Sequence, residues 1–324
     1  MDAPLYTSSN SSGTSSPRLR SKHSPPAPDA ESGYVSATSS TAGSSGGLPR
    51  VTLTPPHVAH LNRELEKMTA MDRLRFVKIC FPNLYQSTAF GLTGLVSTDM
   101  LSKIEEESPS SSPVHLIFLD TLYHFEETHA LVERVKERYP NIRIHTYKPH
   151  GANTVAEFEA KYGEKLYETS PDEYDWTAKV EPLQRAYVEL NVAAVFTGRR
   201  RSQGGERDKI GVLEVDEESG VVKINPLVDW SFGQVQAYIT ENRVPYNELL
   251  DRGYKSVGDW HSTSPVAAGE DERAGRWKGQ AKTECGIHSK KSRYAQYLEE
   301  MGRKAEEERL TAALEKIEKE QEAA

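Results

Sequence analysis

One cysteine late in the chain has the surroundings of a reactive thiol. Cys285 lies in the segment AKTECGIHSKKSRYAQ, residues 281–296, which is too polar to belong to a core. A cysteine attacks as its thiolate, and a nearby cation such as Lys282 favours that form, whereas the charge of Glu284 opposes it. These neighbours leave two interpretations open, a nucleophile that meets a substrate or a bystander.

Four arginines follow an apolar run in the segment FTGRRRSQGGER, residues 196–207. They are Arg199, Arg200, Arg201 and Arg207. Guanidinium groups bind phosphate and sulfate oxygens in bidentate fashion. The protein as a whole is acidic, with a formal net charge of -8, so this local concentration of positive charge favours a polyanion site. A solvated surface run is the alternative.

Two further segments have residues that suit a nucleotide. In STAFGLTG, residues 87–94, the hydroxyls of Ser87 and Thr88 precede a turn at Gly91 and a predicted helix, whose free amides suit a phosphate or sulfate. Ordinary helix capping uses the same residue types. In LDTLYHFEET, Asp120 and Thr121 end a predicted strand and could contact a ribose or an adenine edge. An aspartate at this place could also cap the next helix.

Two other potentially reactive residues have simpler explanations. The segment YKSVGDWHST, residues 254–263, contains His261, and a single histidine predicts no chemistry alone. Cys80 ends an apolar run that starts near Val58, and we expect it to be a small buried hydrophobic residue. Two cysteines cannot form a disulfide framework or a four-thiolate metal site, so any role for either is as a free thiol.

Short apolar runs alternate with helical patterns along the chain. One predicted strand ends at Phe90, and three more cover residues 114–121, 142–147 and 191–198. A predicted hairpin covers residues 209–227. The predicted helices cover residues 58–80 as one helix or a pair, 95–104, 125–139, 154–163, 179–190 and 231–243, the last capped by Ser231. This alternation predicts an α/β fold, a mostly parallel sheet with helices on both faces. Ligands bind at the carboxyl ends of such strands, where Ser87, Asp120 and Arg200 fall.

Composition limits the class of protein. Hydrophobic residues make up 36% of the 324 residues and are scarce in the first 50, which are rich in Ser, Pro and Gly. We expect that stretch to be disordered, and a transit peptide is the alternative, although Asp2, Asp29 and Glu31 are atypical of such leaders. No run of about 18 apolar residues and no signal-peptide core is present, so we predict a soluble cytoplasmic protein. The acidic balance argues against a nucleic-acid partner.

Taken in order, the motifs resemble those of the phosphoadenylyl-sulfate (PAPS) reductases of assimilatory sulfate reduction, the thioredoxin-dependent type. STAFG stands in the place of that family's modified phosphate loop, and LDT, KVEPLQRA, GRRRSQ, YKSVGDWH and KTECGIH follow in the family's order. The resemblance covers residues 57–296 and depends mainly on the combination of KTECGIH, VGDWH and the arginine segment. It implies a fold of the adenine nucleotide alpha-hydrolase type, related to PP-loop ATP pyrophosphatases, with a mobile carboxyl-terminal tail.

The resemblance also implies an activity. Cys285 would attack the sulfur of PAPS, release adenosine 3',5'-bisphosphate and carry an S-sulfonate, from which thioredoxin or a similar dithiol such as glutaredoxin would release sulfite. The candidates for holding the phosphosulfate or the 3'-phosphate would be Arg200, Arg201 and Arg207, with His261 as a further anion contact. Asp120 and Thr121 would line the nucleoside site. The implied substrate-binding set is Ser87, Thr88, Phe90, Gly91, Asp120, Thr121, Arg200, Arg201, Arg207, His261 and His288.

The resemblance implies no bound cofactor for this chain. The branch of the family that uses adenylyl sulfate (APS) holds an iron–sulfur cluster through paired cysteines, which this sequence lacks. No C-X-X-C motif is present, so the reductant is expected to be external. The alternatives are an APS reductase, an ATP-using relative, which the altered glycine loop and Cys285 oppose, and a non-catalytic nucleotide-binding protein. Family members are often homodimers, which the sequence does not decide.

The predicted organisation has four parts. A leader covers residues 1–52, the α/β domain residues 53–280, the tail with Cys285 residues 281–296, and a charged helix residues 297–324. The pattern of that helix begins near residue 290, and the helix would either dock on the domain or a partner chain, or remain solvated.

Overall fold

The computed structural model describes residues 53–108, 112–216, 219–267 and 269–279. It also describes the single positions Lys282, Glu284, Gly286, Ile287, Glu299, Arg303 and Arg309. The leader over residues 1–52, the residues Cys285 and His288, and nearly all of the helix over 297–324 lie outside the described residues. What the sequence predicts for them therefore stays a prediction.

A six-stranded sheet forms the centre of the described part. Its strands are β1 Leu84–Thr88, β2 His115–Leu119, β3 Ile144–Tyr147, β4 Ala194–Phe196, β5 Leu213–Val215 and β6 Val222–Ile224. Their order is β3-β2-β1-β4-β6-β5, and every pair is parallel except β5 with β6. The predicted mostly parallel sheet and the predicted hairpin are therefore confirmed.

Nine α-helices are assigned within the described residues. They are α1 Pro55–Leu65, α2 Ala70–Cys80, α3 Leu92–Glu107, α4 Glu126–Arg138, α5 Val155–Tyr162, α6 Leu166–Thr169, α7 Pro171–Asp175, α8 Glu181–Glu189 and α9 Phe232–Glu241. The opening apolar run is a pair, because Thr69 caps α2 by accepting from the N–H of Asp72. Ser231 caps α9 as predicted and forms a capping box with Gln234. None of these helices is long and apolar enough to cross a membrane.

The strands bury side chains on both faces of the sheet. Phe118 and Phe196 point into a large core that is shared with α2, α3, α4 and α9. Their neighbours Ile117 and Val195 point the other way and pack against Leu183 of α8. A strand that is buried on both sides reads as a continuous apolar run, which is the pattern that identified β2 and β4. The prediction of helices on both faces is confirmed.

The expectation for Cys80 was wrong. Its side chain is exposed, and the preceding Ile79 is 85% exposed. The buried face of α2 is formed by Ala70, Arg73, Leu74 and Val77, and the helix ends one turn later at Cys80. Because the last turn projects beyond the packed part of that face, the apolar pattern of the sequence continues further than the burial does.

Candidate active site

Two neighbouring strands, β1 and β4, connect to helices on opposite faces of the sheet. The chain leaves β1 for α3, which belongs to the large core, and it reaches β4 from α8 on the other face. A crevice opens at the carboxyl ends of two such strands, and a cavity is found there. The candidates from the sequence that line it are Ser87, Thr88, Phe90, Gly91, Thr121, Arg200 and Arg207.

The loop after β1 presents the amide end of a helix to this cavity. Phe90 has a φ of 55°, a left-handed conformation that is uncommon for a residue with a side chain, and its N–H donates to Thr88 Oγ1 at 2.8 Å. The strand therefore ends two residues before Phe90, whereas the sequence predicted its end at Phe90 itself. Gly91 is the N-cap of α3 and supplies no side-chain cap, and the first turn contains no acidic residue. The first amides of α3 are thus suited to an anion.

Arg200 lies beside that helix end. It is 2% exposed, and its Nε donates to Thr93 Oγ1 in the first turn of α3 at 2.8 Å. Its Nη2 donates to the two carboxylate oxygens of Glu272 at 2.7 and 2.6 Å. The helix end and the guanidinium can therefore act on one anion, and Glu272 holds the guanidinium in place.

Arg207 forms a second fixed guanidinium in the cavity wall. Its Nε and Nη2 donate to the carboxylate of Glu284 at 2.6 and 2.8 Å, and its Nη1 donates to Gln203 Oε1 at 2.6 Å. Burial opposes ionisation of Glu284, but the hydrogen bonds and charge of Arg207, with the charges of Arg273 and Arg199, hold its pKa below the usual value. The residue directly before Cys285 is therefore a carboxylate bound to this arginine.

The structure does not bring the other two arginines of the loop into the same role. Arg201 is absent from the cavity lining, donates to the carbonyl of Ile210 at 3.0 Å and forms an ion pair with Glu66. Arg199 lines the cavity, but its Nη2 is bound to Glu214 at 2.6 Å. The backbone at residue 200 is extended, so consecutive side chains point in different directions. The cluster in the sequence is thus not one cluster in space.

A buried network of charges forms another wall. Asp259 is 1% exposed and accepts from Thr121 Oγ1 at 2.6 Å and from Tyr174 Oη at 3.1 Å, and it pairs with Lys179 Nζ at 2.8 Å. Lys179 also pairs with Asp175 at 2.9 Å. Burial opposes ionisation of Asp259, but the charge of Lys179 and these hydrogen bonds hold its pKa far below the usual range. One lysine therefore sits between two buried carboxylates at the cavity.

Two candidates lie next to the cavity without lining it. Asp120 accepts from the N–H of Leu122 at 3.0 Å and lies 3.6 Å from Lys148 Nζ. It does not cap α4, whose N-cap is Phe125. His261 stacks on Tyr167 with ring centroids 3.8 Å apart, and burial with the charge of Lys179 lowers its pKa to about 4 despite the nearby Asp259. It is neutral near pH 7, and its role as an anion contact stays a prediction.

Comparisons with known proteins decide the family. The family model described as the phosphoadenosine phosphosulfate reductase domain matches residues 83–265. A phosphoadenosine phosphosulfate reductase of Emericella nidulans is 59% identical over 284 residues, which cover 88% of this chain and 90% of that protein. The chain belongs to the phosphoadenosine phosphosulfate reductase family. The resemblance inferred from the motifs is confirmed, and with it the expectation of an oxidoreductase.

Other members of the phosphoadenosine phosphosulfate reductase family support the fold and widen the range of substrates. The crystal structure of the PAPS reductase from Candida auris, a phosphate complex, is 52% identical and superposes with a TM-score of 0.60 over 67% of this chain and 100% of that one. An adenosine 5'-phosphosulfate reductase of Halalkalibacterium halodurans is 36% identical over 72% of this chain and 96% of that protein. The predicted fold class is confirmed.

The iron–sulfur cluster of the APS branch does not fit this member of the family. A cluster of that kind needs four thiolates, and the whole sequence contains only Cys80 and Cys285. Cys80 lies exposed at the end of α2, whereas the buried positions beside the cavity hold Asp175, Lys179 and Asp259. The chain therefore lacks the thiolates that a cluster of this kind requires.

Sequence reasoning missed four cationic residues that line the cavity: Lys179, Lys255, Arg273 and Arg276. A signal for Lys179 was present, because Leu183 and Ala186 lie on its helical face and are buried, which marks a lysine on an apolar face. A π-helical turn over Trp176–Val180 precedes α8 and includes residues 179 and 180, the first two of the helix predicted over 179–190, and such turns are frequent at functional sites. Lys255, Arg273 and Arg276 lie in neither a helix nor a strand, so the periodicity of apolar residues could not identify them.

Both sequence neighbourhoods of Cys285 reach this cavity. Glu284, on one side of Cys285, lines the cavity and is bound to Arg207. Ile287, two residues beyond Cys285, also lines it and packs against the core on the α8 face. Cys285 itself and His288 lie outside the described residues, so their roles remain predictions.

Proposed function

We propose that this chain reduces 3'-phosphoadenylyl sulfate to sulfite and adenosine 3',5'-bisphosphate in sulfate assimilation, with thioredoxin as the electron donor. One observation carries the proposal. Glu284 and Ile287, which flank Cys285, line the same cavity as the helix end after β1 and the guanidinium of Arg200. An anion site and the segment with the one cysteine in a polar setting thus meet at one place.

The chemistry needs a thiolate and a stabilised leaving group. The Cys285 thiolate attacks the sulfur of PAPS, a sulfur–sulfur bond forms, and the bond from sulfur to the 5'-phosphate oxygen breaks. Adenosine 3',5'-bisphosphate leaves, and Cys285 carries the sulfonate. A thiolate of thioredoxin then attacks the Cys285 sulfur and expels sulfite, and the second thiol of thioredoxin closes its disulfide and returns Cys285 to the thiol. The two electrons that reduce sulfate to sulfite come from the dithiol.

The cavity residues have distinct parts in this reaction. The first amides of α3, with Arg200, would hold the phosphosulfate or the 3'-phosphate, and Lys179 and Arg276 would add positive charge as negative charge develops on the leaving phosphate. Ser87 and Thr121 line the nucleotide pocket in this scheme. The phosphate complex of the Candida auris relative supports an anion site in this fold.

The substrate choice is the finer part of the proposal. The Emericella nidulans relative, named for the 3'-phosphorylated substrate, is 59% identical, and the Halalkalibacterium halodurans relative, named for APS, is 36% identical. This difference and the lack of cysteines for a cluster favour PAPS without a resident cofactor. An APS reductase, and a non-catalytic nucleotide-binding protein, are the alternatives that experiment must separate.

The decisive experiment combines purified protein, thioredoxin, thioredoxin reductase and NADPH with PAPS or with APS. We expect sulfite release with PAPS in the complete mixture and, when thioredoxin is left out, a Cys285 adduct that is about 80 Da heavier by mass spectrometry, the mass of SO3. Both should be lost in Cys285→Ser, with nucleotide binding retained. Turnover of APS alone would contradict the substrate assignment. Binding without turnover in the presence of thioredoxin and of glutaredoxin would support the non-catalytic alternative. We also propose that the α/β domain ends at residue 280 and that the tail with Cys285 ends at residue 296. A homodimer and a cytoplasmic location complete the proposal.

A further inference from the structure

Two ion pairs hold the residues just before Cys285. Lys282 Nζ contacts the carboxylate of Asp175, and Glu284 is bound to Arg207 through two hydrogen bonds of 2.6 and 2.8 Å. Arg273 adds a third contact, 3.4 Å from Glu284 Oε2. The two side chains of the segment have opposite charges, and each meets a partner of the opposite sign.

The partners belong to separate parts of the fold. Asp175 ends α7 and also pairs with Lys179, which lines the cavity. Arg207 belongs to the loop after β4, on the arginine side of the cavity. Lys282 and Glu284 are therefore held by side chains from two different parts of the fold.

Burial makes these pairs stronger than ordinary surface ion pairs. The side chains of Asp175, Arg207 and Glu284 are 8%, 11% and 14% exposed, and that of Lys282 is 20% exposed. Charges that are removed from water attract each other through a lower effective dielectric constant, whereas exposed pairs contribute little. The charge of Glu284 opposes thiolate formation at Cys285. Any contribution of Glu284 to the reaction must therefore come from something other than activation of the thiol.

We infer that Asp175 and Arg207 are positioning residues that hold the segment carrying Cys285 at the cavity, through Lys282 and Glu284 respectively. The inference rests on the proposed function, in which Cys285 is the nucleophile. Alignment of a nucleophile with its target raises the rate of the chemical step rather than the affinity for substrate. The pairs therefore act on the rate of sulfonate formation.

In an alternative explanation, the Glu284 carboxylate occupies the position at Arg207 that an anionic group of the substrate would take. A carboxylate that occupies the anion site competes with PAPS, so its removal would lower the PAPS concentration needed for half-maximal rate. The two explanations thus make opposite predictions, since positioning predicts a lower maximal rate with little change in that concentration.

The experiment measures sulfonate formation in a single turnover without reductant. The parent protein carries Cys80→Ser, so that Cys285 is its one thiol, and the test variant adds Lys282→Met and Glu284→Gln. The matched control adds Lys278→Met and Glu206→Gln, two exposed residues in the same charge classes for which no ion pair is found within the described residues. Mass spectrometry of quenched samples follows the adduct over a range of PAPS concentrations.

We expect the test variant to form the adduct on the order of tenfold more slowly at saturating PAPS, with the control unchanged and Lys282→Arg close to the parent. A test variant as fast as the control overturns the inference. A lower half-saturating PAPS concentration with an unchanged maximal rate also overturns it, in favour of substitution. A parent that forms no adduct at Cys285 in this assay, yet releases sulfite from PAPS when thioredoxin is added, refutes the proposed role of Cys285 as the nucleophile, which is a separate result.

Two additional readouts exclude simpler causes. Iodoacetamide should alkylate Cys285 at nearly the same rate in the test variant and the parent at pH 7, because the variant loses both Lys282, which favours the thiolate, and Glu284, which opposes it. Slower sulfonation with unchanged alkylation cannot be explained by a less reactive thiol. Urea unfolding should give a lower midpoint for the test variant than for the control, because buried ion pairs are broken, whereas both variants should be fully folded in the urea-free assay buffer. A test variant that is partly unfolded in that buffer would assign its slower sulfonation to folding and contradict the inference.

Discussion

Gly258 lies directly against the guanidinium of Arg276. A Cβ atom at this glycine would stand 2.3 Å from Arg276 Nη2 and 2.5 Å from its Cζ. The same arginine donates to the carbonyl of Val257 at 3.2 Å and lies over the ring of Trp277, 4.6 Å from its centroid. The glycine of the VGDWH motif is therefore what allows a cation of the cavity wall to pack on the backbone.

We predict that Gly258→Ala displaces this guanidinium and raises the KM for PAPS several-fold, because one cation of the cavity wall moves. Steady-state sulfite release measures the effect. Gly233→Ala is the control: this residue lies in α9, where the nearest atom to a new Cβ is 4.0 Å away. The control should keep its KM and gain about 0.5–1 kcal/mol of stability. Equal KM values for the two variants would contradict the assignment.

Removal of Lys179 should cost both stability and activity. Lys179→Met leaves the buried carboxylates of Asp175 and Asp259 without their shared cation, and a broken buried ion pair costs about 3 kcal/mol or more. Urea unfolding at pH 7 checks the free energy of unfolding. Adding Asp259→Asn should recover part of the stability, because one unpaired charge is removed, without recovery of sulfite release. Full activity in the double variant would show that Lys179 has no part in the reaction.

Acid should destabilise the protein partly through His261. Its pKa of about 4 in the folded state is below the value of about 6.5 for an unfolded chain. The unfolded state therefore binds more protons between these values, so the contribution of His261 is complete above pH 6.5 and is lost as the pH falls towards 4. We predict that His261→Phe, which keeps a ring against Tyr167, reduces the loss of stability between pH 7 and pH 4.5. The exposed His60→Gln is the control, and an equal pH dependence in both variants would contradict the prediction.

Two adjacent arginines should respond differently to the same change. Arg200→Lys removes the contacts with Thr93 and both oxygens of Glu272, and we predict a loss of about tenfold or more in kcat/KM. Arg201→Lys alters a half-exposed ion pair with Glu66 outside the cavity lining and should change kcat/KM less than twofold. Sulfite release over a range of PAPS concentrations measures both. A similar loss of kcat/KM in the two variants would indicate that Arg201 also binds the substrate.

The local pattern of the sequence determined most of the elements, and their ends to within a few residues. Apolar runs identified the buried strands β2 and β4, Ser231 identified the start of α9, and the run of residues 87–91 identified the loop after β1. These features depend on hydrogen bonds and contacts between residues a few positions apart, which periodicity and capping report directly. The polar setting of Cys285 was also visible without a structure.

Only the tertiary structure decided which side chains reach the cavity. Thr121 meets Asp259 across 138 residues and Arg200 meets Glu272 across 72 residues, and no local pattern reports such pairs. The exposure of Cys80 and the ion pair that Arg201 forms with Glu66 outside the cavity also depend on contacts between distant segments. The reason is physical: a side chain's surroundings depend on how distant elements pack, and the free energy of that packing is not contained in any short segment.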